Sequence, residues 1–220
     1  MRTPTIFTSA GAVVAVVMLI ACVATASATR LCGSATTPCP STYISGSLMQ
    51  GDLKAGTNVT VTTSGGTGLN PTVTCTGPTY ALTTINDGGV QGVDVSGYLS
   101  SLNLTTCTSA APAGCTTSGV QGNVPTFGYV TSTGGGNGTL FVAPPVITVT
   151  CTVMGAQVVC ALGGDGTLKA TVTGGTLATV QFASQALTRP GNAHPACPTA
   201  GAFSATYKVT TPAPLYITSS

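Results

Sequence analysis

The sequence predicts an all-β protein, an antiparallel β-sandwich of the Greek-key or jelly-roll type that is stapled by disulfides. Three observations predict this fold. Threonine alternates with valine or cysteine in several short runs, turn-forming residues separate those runs, and eight cysteines follow residue 28. Helical periodicity is nearly absent beyond the N-terminal segment.

The alternating runs predict strands with one buried face and one solvated face. In each run the valines, isoleucine and cysteines are expected inside and the threonine hydroxyls outside. The residues expected inside are Val59, Val61, Val73, Cys75, Ile147, Val149, Cys151, Val153 and Val172.

Turn signals separate these runs. Residues 86–89 (Asn-Asp-Gly-Gly), 137–138 (Asn-Gly) and 165–166 (Asp-Gly) accept positive φ at low cost, as hairpin turns require. Three glycines at 134–136 are expected to form a long loop within the sandwich, or a linker between the halves of an old duplication.

The first 28 residues have the layout of a secretory signal peptide. Arg2 precedes an apolar run at 10–24, and Ala26-Ser27-Ala28 has the small-x-small pattern of a cleavage site. The predicted organisation is therefore a signal peptide at 1–28 and a single β-sandwich domain at 29–220, with no transmembrane span in the mature form. Residues 19–22 (Leu-Ile-Ala-Cys) also fit a bacterial lipobox, in which a lipidated Cys22 would anchor the protein to a membrane.

An even number of cysteines in an exported chain indicates disulfides. Local loop closure predicts Cys107–Cys115 and Cys32–Cys39. Once the hairpin described next pairs Cys151 with Cys160, elimination leaves Cys75–Cys197. A zinc site is not expected, because the chain has no CxxC motif and one histidine.

The remaining pair follows from a predicted hairpin. If residues 155–156 (Gly-Ala) form a two-residue turn, Cys151 lies directly opposite Cys160, at a separation that a disulfide spans. This register also places Val149 opposite Leu162.

The composition excludes some partners. Charged residues are 5% of the chain, glutamate is absent and the formal net charge is +2. A nucleic-acid partner needs a basic stripe, which this chain lacks. No cofactor or metal is expected, since the glycine clusters lack a phosphate-binding motif and the four aspartates are scattered.

Catalytic candidates are few. His194 lies in a Pro- and Gly-containing loop and could serve a secreted hydrolase together with a nearby aspartate. Asp87 and Asp94 are the only closely spaced carboxylates that could act as a glycosidase pair. Neither set lies in a recognisable catalytic motif, so the sequence favours a protein without catalytic residues.

Carbohydrate binding is an alternative, because aromatic rings can stack on pyranose faces. The chain lacks tryptophan, so tyrosines would have to supply the platform. The candidates are Tyr43, Tyr80, Tyr98, Tyr129, Tyr207 and Tyr216.

Four segments carry a family resemblance. Residues 31–40 (LCGSATTPCP), 72–77 (TVTCTG), 196–200 (ACPTA) and 206–217 (TYKVTTPAPLYI) resemble uncharacterised secreted proteins of high-GC actinobacteria. The resemblance implies an extracytoplasmic bacterial protein and brings no assigned activity or ligand.

The function expected from the sequence is a secreted or cell-envelope structural or interaction protein. Its partner would be a cell-wall polysaccharide or another envelope protein. The alternatives are a carbohydrate-binding module and a secreted hydrolase that uses His194.

Overall fold

Sixteen strands and no helix occur in the part of the chain that the computed structural model describes. That part comprises residues 28–66, 70–90, 93–110, 120–122, 126–143, 146–153, 155–163, 166–189 and 194–219, with only the backbone at 120–122, 151 and 153. The strands are β1 (Thr29–Cys32), β2 (Leu48–Leu53), β3 (Val59–Ser64), β4 (Thr72–Cys75), β5 (Thr79–Thr84), β6 (Val95–Asn103), β7 (Cys107–Ala110), β8 (Val120–Gly122), β9 (Thr126–Gly134), β10 (Asn137–Val142), β11 (Ile147–Val153), β12 (Ala156–Leu162), β13 (Leu168–Thr173), β14 (Thr179–Thr188), β15 (Ala200–Thr211) and β16 (Tyr216–Ser219).

Eight of these strands close into an antiparallel barrel. The order is β14-β13-β10-β9-β6-β5-β2-β15, and β15 pairs back with β14. The expected all-β class and disulfides are confirmed, but the expected sandwich is replaced by this barrel. Irregularities in the pairing of β2, β5, β10 and β14 bend the sheet, which favours closure. Inward–outward alternation is the same in a sandwich and a barrel, so the sequence pattern does not distinguish them.

The sheet forks at β15. Its residues 207–211 pair with β2, whereas its residues 200–204 pair with β3, which continues into β4 and β7. The separate sheet β12-β11-β8 packs over this branch and buries Val61, Val73, Val149 and Leu162 in a shared core. The two-layer packing expected from the sequence is therefore restricted to this side of the molecule.

One end of the barrel is covered by β1 and β16, which pair with each other. Their Leu31 and Ile217 are buried against barrel residues such as Val130. Because neighbouring strands are antiparallel, the β5–β6, β9–β10 and β13–β14 connections all lie at this end. We call it the capped end.

The predicted alternation is confirmed where side chains are described. Val59, Val61, Val73, Cys75, Ile147, Val149 and Val172 are all buried, and the threonines between them are half-buried or exposed. The side chains of Cys151 and Val153 lie outside the described residues. The burial of β-branched residues therefore determines which face of each of these strands points inward.

Of the four expected disulfides, one is confirmed and three are wrong. Cys32–Cys39 is present, as expected. Cys75 is bonded to Cys107, its direct cross-strand neighbour on β7, with 4.0 Å between their Cα atoms. The expected Cys75–Cys197 and Cys107–Cys115 bonds are therefore wrong. Elimination failed because Cys107 bonds across a strand ladder instead of closing its own loop.

Cys160 is bonded to Cys197, so the expected Cys151–Cys160 bond is also wrong. Val153 at the end of β11 pairs with Ala156 at the start of β12, so Ala156 lies in a strand instead of the expected turn, and Gly155 before it has φ 80°. This one-residue shift places Cys160 opposite Val149 and Cys151 opposite Val158. Cys115 and Cys22 lie outside the described residues.

Two expected turns differ from the structure. Asn137 and Gly138 belong to β10, Gly134 ends β9, and Gly135 and Gly136 form the tight turn between the two strands instead of a long loop or linker. All three glycines have positive φ, which explains why the turn uses them. Gly88 and Gly89 do have the expected positive φ, and Asp165 lies outside the described residues.

Candidate functional site

The outer wall of the barrel carries a continuous patch of aromatic side chains. On β6 and β9, Tyr98 and Phe127 are cross-strand partners, and on β9 and β10, Tyr129 and Phe141 are partners. Their inward neighbours Gly128, Val130 and Val142 are buried, so alternation directs the aromatic side chains outward. We call Tyr98, Phe127, Tyr129 and Phe141 the aromatic face.

The rings of this face contact one another in two pairs. Tyr98 and Phe127 meet edge to face with centroids 5.9 Å apart, and Tyr129 and Phe141 stack at 4.8 Å. Tyr98 remains 47% exposed and Phe127 44% exposed. Cross-strand aromatic pairs stabilise a sheet, but that role does not require the rings to remain exposed to solvent. The face therefore offers apolar area to a ligand.

The surroundings of the aromatic face are polar and nearly uncharged. Its cross-strand neighbours include Thr83 beside Tyr98 and Ser96 beside Tyr129. The ammonium of Lys169 lies 5.6 Å from the ring centre of Phe141 and is the one charge placed against these rings among the described residues. Rings with hydroxyls around them match a neutral ligand that has both C–H and O–H groups.

The six tyrosines expected as a possible platform are divided by the fold. Tyr98 and Tyr129 lie on the aromatic face. Tyr43 donates a hydrogen bond to the carbonyl of Pro214 near the capped end, and Tyr216 packs on Gly136. Tyr80 and Tyr207 point into the barrel and meet edge to face at 5.1 Å.

Phe127 and Phe141 were not among the residues predicted from the sequence, although a signal was present. Residues 126–130 read Thr-Phe-Gly-Tyr-Val, so Phe127 and Tyr129 share one face of a strand and Gly128 lies on the other. The pairing of β9 with β6 and β10, which brings Tyr98 and Phe141 alongside, is a long-range property. The local sequence does not encode it.

The barrel interior is filled by side chains. Two apolar cavities of about 60 and 50 Å³ share Tyr80, Leu82, Leu140 and Val180 in their walls. An engineered cavity that binds benzene measures roughly 150 Å³, so these volumes assign no ligand to the interior. Burial raises the pKa of Tyr207 well above its usual range, with a smaller effect from Tyr80. Burial likewise raises the pKa of Tyr80, with a smaller contribution from Asp52.

His194 is not brought near either candidate aspartate, because it lies at one end of the barrel and Asp87 and Asp94 lie at the other. His194 is exposed, its Nδ1 accepts the amide of Ala196, and it precedes β15 at the end opposite the capped end. Asp87 and Asp94 lie at the capped end, in the β5–β6 connection. The Asp87 carboxylate accepts the amide of Ser45, and that of Asp94 accepts the hydroxyl of Thr29 at 3.4 Å. Both carboxylates therefore serve to hold loops.

The described residues contain no group of three or more histidine, cysteine or acidic side chains placed to hold a metal ion. In the same residues, no helix has the length and apolar character needed to cross a membrane.

Comparisons with family models, with curated proteins and with solved structures find no match to this chain.

Proposed function

We propose that this chain is a non-catalytic interaction module of the cell envelope or extracellular space, and that its aromatic face binds a neutral polysaccharide. The observation that carries the proposal is the half-exposed, outward-facing Tyr98–Phe127 pair next to the stacked Tyr129–Phe141 pair. Three disulfides among the described residues are compatible with an extracellular location.

Polysaccharide is favoured over the other expected partner, an envelope protein, by the chemistry of this surface. Sugar rings present C–H groups that pack on the negative face of an aromatic ring, and hydroxyls that bond to serine and threonine. The aromatic face has such rings and hydroxyls, with Lys169 as its one charge among the described residues. Protein interfaces are commonly enriched in arginine as well as tyrosine, whereas the two described arginines lie elsewhere, Arg30 against Gly89 and Arg189 against the carbonyl of Cys197.

The proposal predicts that binding depends on the rings. Tyr98→Ala with Tyr129→Ala should reduce retention on purified cell-wall polysaccharide by about tenfold or more, since each stacked ring contributes about 1 kcal/mol. Tyr98→Phe should keep most of the retention, because the ring is kept. Val159→Ala, at an exposed site on β12, should leave it unchanged.

The measurement is affinity electrophoresis or calorimetry, together with a thermal melt that shows the variants are folded. Equal retention of the double variant and the unsubstituted chain would contradict the proposal. Retention that persists on intact envelopes but disappears after protease treatment would instead identify a protein partner. Release of soluble sugar by the bound protein would show that the module is catalytic.

A further inference from the structure

The large apolar side chains that are exposed in the described residues are concentrated at the capped end. Of nine such side chains, two belong to the aromatic face and one is Val159 on β12. The other six, which we call the apolar ring, are Ile44, Leu48, Ile85, Val90, Val93 and Leu177. Val90 is 63% exposed and Leu177 is 67% exposed, so these side chains are not core residues with an exposed edge.

The fold fixes the apolar ring at one end of the barrel. The loop with Ile44 is bonded to the end of β5, where the Thr84 hydroxyl donates to the carbonyl of Ile44 at 2.8 Å. Ile85 and Val90 follow in the β5–β6 connection. Leu177 lies in the β13–β14 connection, on the opposite side of the barrel mouth. The six side chains therefore border the capped end on both sides.

The charges at this end do not suit a charged partner. Asp87 and Asp94 accept hydrogen bonds from Ser45 and Thr29, and Arg30 lies against Gly89 with its Nε buried. The ring itself is entirely aliphatic. It lacks the aromatic surface that stacks on sugars, and aliphatic side chains partition into hydrocarbon.

The chain that precedes the domain joins it beside the apolar ring. The amide of Gly89 donates to the carbonyl of Thr29 at 2.8 Å, and the amide of Thr29 donates to the carbonyl of Val93. Upstream of Thr29 the sequence contains the apolar run at 10–24 and the lipobox cysteine Cys22. The seven residue steps from Cys22 to Thr29 span at most about 25 Å when fully extended, at roughly 3.3–3.6 Å each.

We propose that the apolar ring docks on a lipid bilayer, to which a lipidated Cys22 tethers the chain. The tether holds the capped end within reach of the membrane, and the ring inserts its aliphatic side chains below the headgroups. The ring adds a second apolar contact to the lipid anchor, which holds the capped end against the bilayer surface. The inference does not rest on the proposed polysaccharide binding.

The test uses the full chain, expressed in a bacterial host that processes lipoproteins. The intact mass of the mature protein reports the lipid on Cys22, and flotation with phosphatidylcholine vesicles reports docking. Cys22→Ala material cleaved after Ala28, as its intact mass verifies, should still float, but weakly. In that background, Ile85→Ser with Val90→Ser should lower the vesicle-bound fraction by about tenfold, because two aliphatic side chains no longer enter hydrocarbon.

Val159→Ser is the matched control, since Val159 is 56% exposed and lies outside the ring. It should float like its parent, and added salt should not release any of these proteins. Equal flotation of the ring variant and its parent would overturn the proposal. So would a mature protein without lipid on Cys22, or Cys22→Ala material that does not float at all. Ring-dependent retention on delipidated envelope protein, without flotation on vesicles, would also overturn it and indicate a protein partner.

Discussion

Two tyrosine hydroxyls show how environment decides what a polar atom does for stability. Tyr207 is 2% exposed, and its hydroxyl has no hydrogen-bond partner among the described residues. The hydroxyl of Tyr43 donates to the carbonyl of Pro214 at 2.7 Å. A buried hydroxyl without a partner loses its hydration without compensation, whereas a bonded one recovers it. Both residues are tyrosines, so the residue type does not distinguish them. The fold alone gives their hydroxyls opposite contributions to stability.

We therefore expect opposite effects when each hydroxyl is removed. Tyr207→Phe should raise the free energy of unfolding by about 1 kcal/mol, and Tyr43→Phe should lower it by about the same amount. Chemical denaturation followed by circular dichroism measures both. A loss of stability in Tyr207→Phe would mean that its hydroxyl is bonded in solution, for example to a buried water.

At the scale of elements, one close contact shapes the wall of the barrel. Gly51 on β2 lies directly opposite Tyr80 on β5, and a Cβ added to Gly51 would lie 2.2 Å from the Tyr80 ring. The ring occupies the place of the absent side chain and then reaches Tyr207 across the interior. Glycine in a strand often marks such a close approach.

Gly51→Ala should therefore lower the free energy of unfolding by about 1–3 kcal/mol, because Tyr80 must move off its packing position. The matched control is Gly163→Ala, where the added Cβ meets Val146 at an ordinary 3.5 Å. Denaturant titration of the two variants compares them directly. Similar stabilities would show that Tyr80 adjusts without loss.

Most strand faces could be predicted because they depend on local alternation. Val59, Val61 and Val172 are buried as the pattern requires. The registers could not be predicted, since a hairpin turn placed one residue away exchanges which residues face each other. In the observed register the cross-strand partner of Cys160 is Val149 instead of Cys151. The expected Cys151–Cys160 bond therefore has no geometric basis.

At the scale of the whole molecule, the disulfides differ in what they join. Cys160–Cys197 links β12 of the small sheet to the segment that enters β15 of the barrel. Cys32–Cys39 closes a short loop beside the capped end. A bond that closes a longer loop removes more freedom from the unfolded chain.

Barrel closure, the fork at β15 and this long-range bond all depend on distant pairings, so the sequence predicted the all-β class but not the barrel. The aromatic face was missed in part for the same reason.

Replacement of Cys160 and Cys197 by alanine should lower the free energy of unfolding by about 4 kcal/mol, against about 2 kcal/mol for the Cys32 and Cys39 pair. Their sequence separations of 37 and 7 residues set this order. Denaturant unfolding of both double variants measures it, with disulfides counted by mass before and after reduction. A smaller loss of stability for the Cys160 and Cys197 pair than for the Cys32 and Cys39 pair would show that the small sheet is held mainly by its apolar core.

The position of β15 in the chain has a consequence for folding. This strand pairs with β14 on one side and with both β2 and β3 on the other, yet it is among the last segments to be synthesised. Until it arrives, β2 and β14 each lack a neighbour and the wall stays open. Pairings between such distant segments form slowly. The barrel of this chain can therefore close only after nearly the whole polypeptide has been synthesised.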